Sequence, residues 1–258
     1  MFVTTAGRFN TRLINEAIKA AGELGIPFQP RNGISIEKLM VKASSSSSMV
    51  VGKERIELYF KNKEYPFFFH PNSASFRIKR LLMGEKDPFI EAAGLTNGMS
   101  LLDCTMGLAS DSIVASFIVG EKGRILAAEG NKYLHFIVKK GLQSWNSDLM
   151  EMNEAMKRIE PLHITYQELL KTLPENSVDV VYLDPMFEET ITESKGIEGI
   201  RELALYGGLT NDVIMEAKRV AKKRIVLKDH FKSERFAELG FHVMKRKSSK
   251  FHFGYMDV

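Results

Sequence analysis

From residue 97 to the C-terminus, short apolar runs alternate with amphipathic ones, and this alternation leaves few architectures open. Apolar runs fall at 99–104, 123–129, 162–165, 178–184 and 223–229. Helical periodicity falls between them, at 111–119, 132–142, 149–159, 166–173 and 209–222. Strands buried on both faces read as continuous apolar runs rather than alternating ones. Strand–helix alternation of this kind predicts a parallel, doubly wound α/β sheet. A helical segment at 231–240 follows the fifth strand, and 241–247 with 250–256 predict a hairpin-like pair closing the chain.

The first 72 residues read differently. A strand is expected at 1–6. Leu13, Ile14, Ala17, Ile18, Ala21 and Leu24 recur at helical spacing, and Gly25 with Pro27 ends that helix. A short helix fits 35–42, the serine run 44–48 is expected to be a loop, and 48–52, 54–60 and 65–70 read as strands. A chain of 258 residues fits one large domain plus a small one on the usual prior of about 100–200 residues per domain. The expected division is a small N-terminal α/β or α+β domain at 1–72, a helical connector at 73–96 and the large domain at 97–258. In the connector, Asp87-Pro88 marks a helix start, because Asp caps and Pro suits the first helical turn.

No apolar run approaches the ~20 residues that span a bilayer. The start lacks a basic-then-apolar leader pattern, and a single cysteine, Cys104, permits no internal disulfide. A cytoplasmic protein is the expectation. The net charge of +4 is unevenly spread: residues 218–250 hold twelve Lys/Arg against three acids. A second cluster comprises Arg77, Lys79 and Arg80. Clustered cations attract polyanions such as nucleic acid, although the same residues also serve as solvated faces.

In open α/β sheets, ligands bind beyond the carboxyl ends of the strands. The first strand end here carries Asp103, Gly107, Ser110 and Asp111, the second Glu129 and Gly130, the third Tyr166 and Gln167, the fourth Asp184-Pro185-Met186-Phe187, and the fifth Lys228-Asp229-His230. The three-glycine dinucleotide fingerprint is missing, since only Gly107 is present in the first loop. A nucleotide cofactor without a pyrophosphate, such as S-adenosylmethionine, needs fewer glycines. Asp103 is then placed for the ammonium end, and Ser110 and Asp111 for polar groups. The same loop also reads as a tight turn with Asp111 as a helix cap. Glu129 is placed to accept ribose hydroxyls, or is a lone exposed acid. Asp184 and the Pro185 carbonyl form an acceptor pair for the hydrogens of a planar amine, with Phe187 as a stacking platform for a base. The bland alternative is an Asp-Pro turn with Phe187 in the core.

Taken together, D-x-T-x-G-L-x-x-D (103–111), the strand-end Glu129, V-V-Y-L-D-P-M-F (180–187) and K-R-I-V-L-K (223–228) resemble the bacterial small-subunit ribosomal RNA guanine-N2 methyltransferase family (RsmJ-like). The resemblance covers roughly 97–258. It implies a class I methyltransferase: a Rossmann-like doubly wound sheet of seven strands, the last antiparallel. It implies S-adenosylmethionine contacts at Ser110, Asp111, Glu129, Gly130, Tyr166, Gln167 and Asp184, and RNA as the partner. Arg77, Lys79, Arg80, Lys228 and His230 are the expected RNA contacts. This chain departs from the family pattern at Ser110, Tyr166, Gln167, Asp229, His230 and Glu188. The alternatives are a methyltransferase for another planar amine (DNA adenine, protein glutamine or a small molecule) and a non-catalytic donor- or RNA-binding protein. The six histidines lack paired ligand spacing, so no metal site is expected.

Overall fold

In the computed structural model, residues 1–61, 63–185, 208–247 and 249–258 are described. The chain begins with β1 (Phe2–Thr5), α1 (Thr11–Leu24), α2 (Ile36–Lys42), β2 (Ser47–Val51), β3 (Ile56–Phe60) and β4 (Phe67–Phe68). It continues with α3 (Asn72–Leu82), α4 (Pro88–Ala93), β5 (Ser100–Asp103), α5 (Ser110–Val119), β6 (Arg124–Glu129), α6 (Lys132–Ser144), α7 (Met150–Lys157), β7 (Ile159–His163) and α8 (Tyr166–Thr172). The remaining elements are β8 (Val178–Leu183), α9 (Asn211–Val220), β9 (Ala221–His230), α10 (Arg235–Glu238), β10 (His242–Met244) and β11 (Phe251–Asp257).

Two compact units form. The first contains Met1–His70 and α6. Its sheet runs β1-β2-β3-β4, with β1 parallel to β2 and the later pairs antiparallel. In α1 the Asn10 side chain accepts from the Leu13 N–H, and Gly25, at φ 62°, closes the helix in the left-handed region. Of the face read from the sequence, Leu13, Ala17, Ala21 and Leu24 are buried, joined by Ala20, whereas Ile14 is half-buried and Ile18 is 50% exposed. The serine run is only partly a loop, because β2 begins at Ser47.

The second unit contains Pro71–Asn131, residues 146–185 and residues 208–258. Its seven-stranded sheet has the order β7-β6-β5-β8-β9-β11-β10. Strands β5 to β9 pair in parallel, and β11 is antiparallel to both of its neighbours. The doubly wound sheet with one reversed strand is therefore present as expected. Leu101, Leu102, Val180, Val181, Ile225 and Leu227 are fully buried, as strands covered on both faces require. Strand order reverses between β5 and β8, where Asp103 is in register with Tyr182. That reversal is where ligands bind in such sheets.

Several boundaries differ from the sequence expectation; the strands expected at 65–70 and 241–247 shorten to Phe67–Phe68 and His242–Met244. β7 spans Ile159–His163 rather than 162–165. Glu160 and Pro161 interrupt its apolar pattern, and both are tolerated because β7 is an edge strand pairing only with β6. α9 stops at Val220, and β9 starts directly at Ala221. Within 231–240, regular helix is confined to Arg235–Glu238.

Candidate active site

The first loop is held in shape by acids. Asp103 ends β5 and is buried; one oxygen accepts from the Thr105 N–H (3.0 Å) and the other from the Ser112 hydroxyl (2.5 Å). Burial pushes its pKa up to about 7, against those two hydrogen bonds. Gly107 adopts φ 50° and Ala109 φ 58°. The left-handed value at Ala109 is strained, by about 1–2 kcal/mol. Strain retained in a loop at the switch point marks a shape that matters. Glu129 ends β6; it accepts from the Asn131 N–H (2.9 Å) and from the Gly107 N–H (3.3 Å). Burial raises its pKa as well.

The end of β8 lies one strand away. Asp184 follows β8, and its N–H donates to the Thr105 hydroxyl (2.7 Å), which ties this loop to the first. Its Oδ2 lies 2.6 Å from the Lys228 ammonium, which is also 3.4 Å from Asp111 Oδ2. Asp111 Oδ2 accepts from the Tyr182 hydroxyl (2.9 Å), and Oδ1 pairs with Arg77 (2.5 Å). Arg77 makes a second, bidentate pair with Asp87 (2.7 and 2.8 Å), whose carboxylate also caps α4. Burial works to raise the Asp111 pKa, but Lys228 and Arg77 outweigh it and hold the group well below the usual carboxylate range. Asp184, with less compensation, is raised by burial. Lys228 is penalised by burial, yet the two carboxylates raise its pKa above the ordinary ammonium value. Asp184 and Lys228 thus stand as an ion pair under a partly open surface.

The structure places the other named residues as follows. Ser110 and Asp111 are the first two residues of α5, but both Asp111 oxygens face inward to Arg77, Tyr182 and Lys228. Asp103 is likewise engaged inside the loop. Gly130 follows Glu129, between β6 and α6. Tyr166 and Gln167 open α8, capped by Thr165, and both are half-buried. Pro185 is buried, while Phe187 and Glu188 lie outside the described residues. Arg77 belongs to the internal ion network, whereas Lys79 and Arg80 are exposed on α3, with Arg80 paired to Glu85. His230 ends β9, its ring 4.7 Å from that of Phe231. Thr105, Ser112 and Tyr182 are not read as site residues from the sequence, and Asp87 is read only as a helix cap. Tyr182 sits in an apolar strand and reads as core. Thr105 sits in the D-x-T-x-G run, and its place between two strand-end loops was the signal to follow.

These residues fit an adenosine-bearing donor. A carboxylate has about four acceptor positions; two backbone N–H groups take up part of that capacity at Glu129, which leaves acceptors for ribose hydroxyls. Gly107 at positive φ lets backbone come close to a ligand. Among the described residues, no group of three or more His, Cys, Asp or Glu side chains is placed to hold a metal ion. Among them, no helix is long and apolar enough to cross a membrane.

Comparison with known proteins agrees with this geometry. A family described as "Putative SAM-dependent methyltransferase" matches residues 34–255. The chain is 48% identical to "Uncharacterized protein YpiP" of Bacillus subtilis over 99% of both chains. It is 28% identical to the ribosomal RNA small subunit methyltransferase J of Buchnera aphidicola from Schizaphis graminum, over 75% of this chain and 80% of that one. Among solved structures, the SAM-dependent methyltransferase NGO1261 of Neisseria gonorrhoeae shares the fold, with a TM-score of 0.63 at 19% identity over 100% of this chain and 96% of that one. A doubly wound sheet with a reversed seventh strand, a strand-end glutamate beside a glycine turn and a family match over most of the sequence lead to one conclusion: the chain belongs to the SAM-dependent methyltransferase family.

Proposed function

We propose that this S-adenosylmethionine-dependent methyltransferase acts on the exocyclic amine of a base in RNA, with guanine N2 of small-subunit ribosomal RNA as the specific target. The observation that carries the reading is the Asp184–Lys228 pair at the end of β8, beside the strand-order reversal. Relatives named as ribosomal RNA small subunit methyltransferase J, at 28% and 22% identity, support the RNA part.

An exocyclic amine on a base is a weak nucleophile because its lone pair is delocalised into the ring. The donor, when bound, supplies an electrophilic methyl group on a sulfonium. Gly107, Glu129, Gly130, Tyr166 and Gln167 are the residues we assign to hold it. Asp184 and the Pro185 carbonyl accept the two amine hydrogens and turn the lone pair toward the methyl. Asp184 Oδ2 carries the Lys228 ammonium, and Oδ1 is the oxygen assigned to the amine. Lys228 offsets part of the burial that raises the Asp184 pKa. After transfer the nitrogen is acidic and sheds its proton to Asp184 or to water. Phe187 is assigned to stack on the base. Catalysis is then mainly positioning and electrostatics.

The test is methyl transfer from labelled donor to small-subunit ribosomal RNA, assembled small subunits, DNA and a glutamine peptide, with nucleoside mass spectrometry of the product. N2-methylguanosine in ribosomal RNA is expected. Transfer to DNA or peptide alone would identify another planar amine as substrate. Donor binding without product on any acceptor would mark a non-catalytic protein.

A further inference from the structure

The basic stretch 218–250 is one cluster in sequence but two in space. Lys222, Lys223 and Arg224 begin β9, at the amino edge of the parallel sheet. Cations there are tied to acids: Arg219 to Glu216, Lys223 to Asp179 and Arg224 to Asp257. Because β11 runs antiparallel to β9, Phe251 is in register with His230 at the opposite edge. The β10–β11 connection, with Lys245, Arg246 and Lys247, therefore sits at the carboxyl edge, where Asp103 ends β5, Asp184 follows β8 and Lys228 lies near the end of β9.

Cations at that edge face aromatic rings. Lys228 lies 5.0 Å and the Arg246 guanidinium 4.7 Å from the Phe251 ring centroid. Lys232 lies 5.6 Å from Phe231, whose ring also faces His230 and His252. Phe231 is 44% exposed. Burial lowers the Arg246 pKa; the Asp87 carboxylate works against that, and the like charges of Arg77 and Arg80 work with it from the α3 helix. There Arg80 lies over Phe76, which is 64% exposed. Lys228, bound to Asp184, and Arg246 thus flank the Phe251 ring, and a second cation–ring pair, Arg80 with Phe76, lies on α3. Exposed rings flanked by cations suit a strand with unpaired bases, since every base has a face to stack and every linkage a phosphate.

We infer that this strip, Phe231 and Phe251 with Lys232, Lys245, Arg246 and Lys247, binds the single-stranded RNA flanking the methylated nucleotide, while the basic residues at the amino edge do not. The inference rests on the RNA reading above and names its interface.

The test compares two variants with the same loss of charge: Lys245→Ala/Lys247→Ala at the carboxyl edge and Lys218→Ala/Lys222→Ala at the amino edge. All four side chains are exposed. A mixed-sequence single-stranded RNA oligonucleotide is the probe, with thermal melting and calorimetric donor binding as controls. The first variant should bind RNA at least tenfold more weakly. Its plot of log affinity against log salt should flatten by about 1.4, at roughly 0.7 for each phosphate no longer neutralised. The second should stay within twofold of the parent. Phe231→Ala should weaken binding roughly five- to hundredfold with little change in salt slope. Equal losses in both double variants would replace the strip with a net-charge effect, and no loss in the first would remove it. A parent protein that binds donor but no RNA would instead overturn the RNA reading itself.

Discussion

The Lys228 ammonium bridges two carboxylates of different standing: 2.6 Å from Asp184, which follows β8, and 3.4 Å from Asp111, which is also bound by Arg77 and Tyr182. Lys228 is the strongest influence holding the Asp184 carboxyl ionised against burial. Lys228→Met should raise the Asp184 pKa and depopulate its ionised form from the acid side upward. The acid limb of kcat/KM against pH should therefore move to higher pH, with the largest loss of rate at low pH. Lys228→Arg should restore most of the parent profile. A lower rate with an unmoved acid limb would leave Lys228 a purely structural role.

Asp184→Asn keeps the shape but loses the charge. Turnover should fall roughly hundred- to thousandfold, the size seen when one preorganised hydrogen-bonding group is removed from an active site. Donor affinity and melting temperature should change little. Single-turnover assays beside calorimetry separate the two effects.

Glu129→Gln removes one of the acceptors assigned to ribose. Hydrogen bonds to charged groups contribute about 1.5–3 kcal/mol, so donor affinity should drop roughly ten- to hundredfold. Titration calorimetry reads this directly, and an unchanged Kd would take Glu129 out of the donor site.

Asp103 is an acid whose native pKa stands near 7, raised by burial from an ordinary value near 4. Its contribution to stability is complete below about pH 4 and is lost as the pH rises through about 7. Asp103→Asn, which can still accept from Thr105 and donate to Ser112, should flatten that decline. Melting temperatures of the two proteins across pH 4–8 check it; parallel curves would contradict the assignment.

Gly141 lies inside α6, where alanine ordinarily stabilises a helix by about 0.5–1 kcal/mol. A Cβ there would run into the Phe69 ring. Gly141→Ala should destabilise the first unit instead, by about 1–3 kcal/mol from overpacking. Denaturant titration gives the sign.

Much of the fold was legible because its signals are local. The α1 face repeats within 14 residues, and β8 is apolar at every position but Asp179. β7 was displaced because Glu160 and Pro161 hide an edge strand. The strand-end acids were equally legible as positions, but not as partners. Asp103, Asp111, Glu129 and Asp184 look alike in sequence, yet the structure turns Asp103 and Asp111 inward. What separates them is who answers each charge. The partners of Asp111 lie 34, 71 and 117 residues away, beyond the reach of any spacing rule.

Those separations also give the site a history within a single round of synthesis. Asp111 leaves the ribosome 117 residues, and Asp184 44 residues, before the ammonium that joins them. Of these two acids, Arg77 answers only Asp111. Until β9 docks beside β8, the nascent chain carries two like charges with nothing between them. Pairing of β9 beside β8 brings the ammonium to both acids at once, so a chain stalled before that strand holds Asp111 and Asp184 without the cation they share. The lysine thus ties the neutralisation of both acids to the arrival of a late strand, with β10 and β11 still to add beyond it.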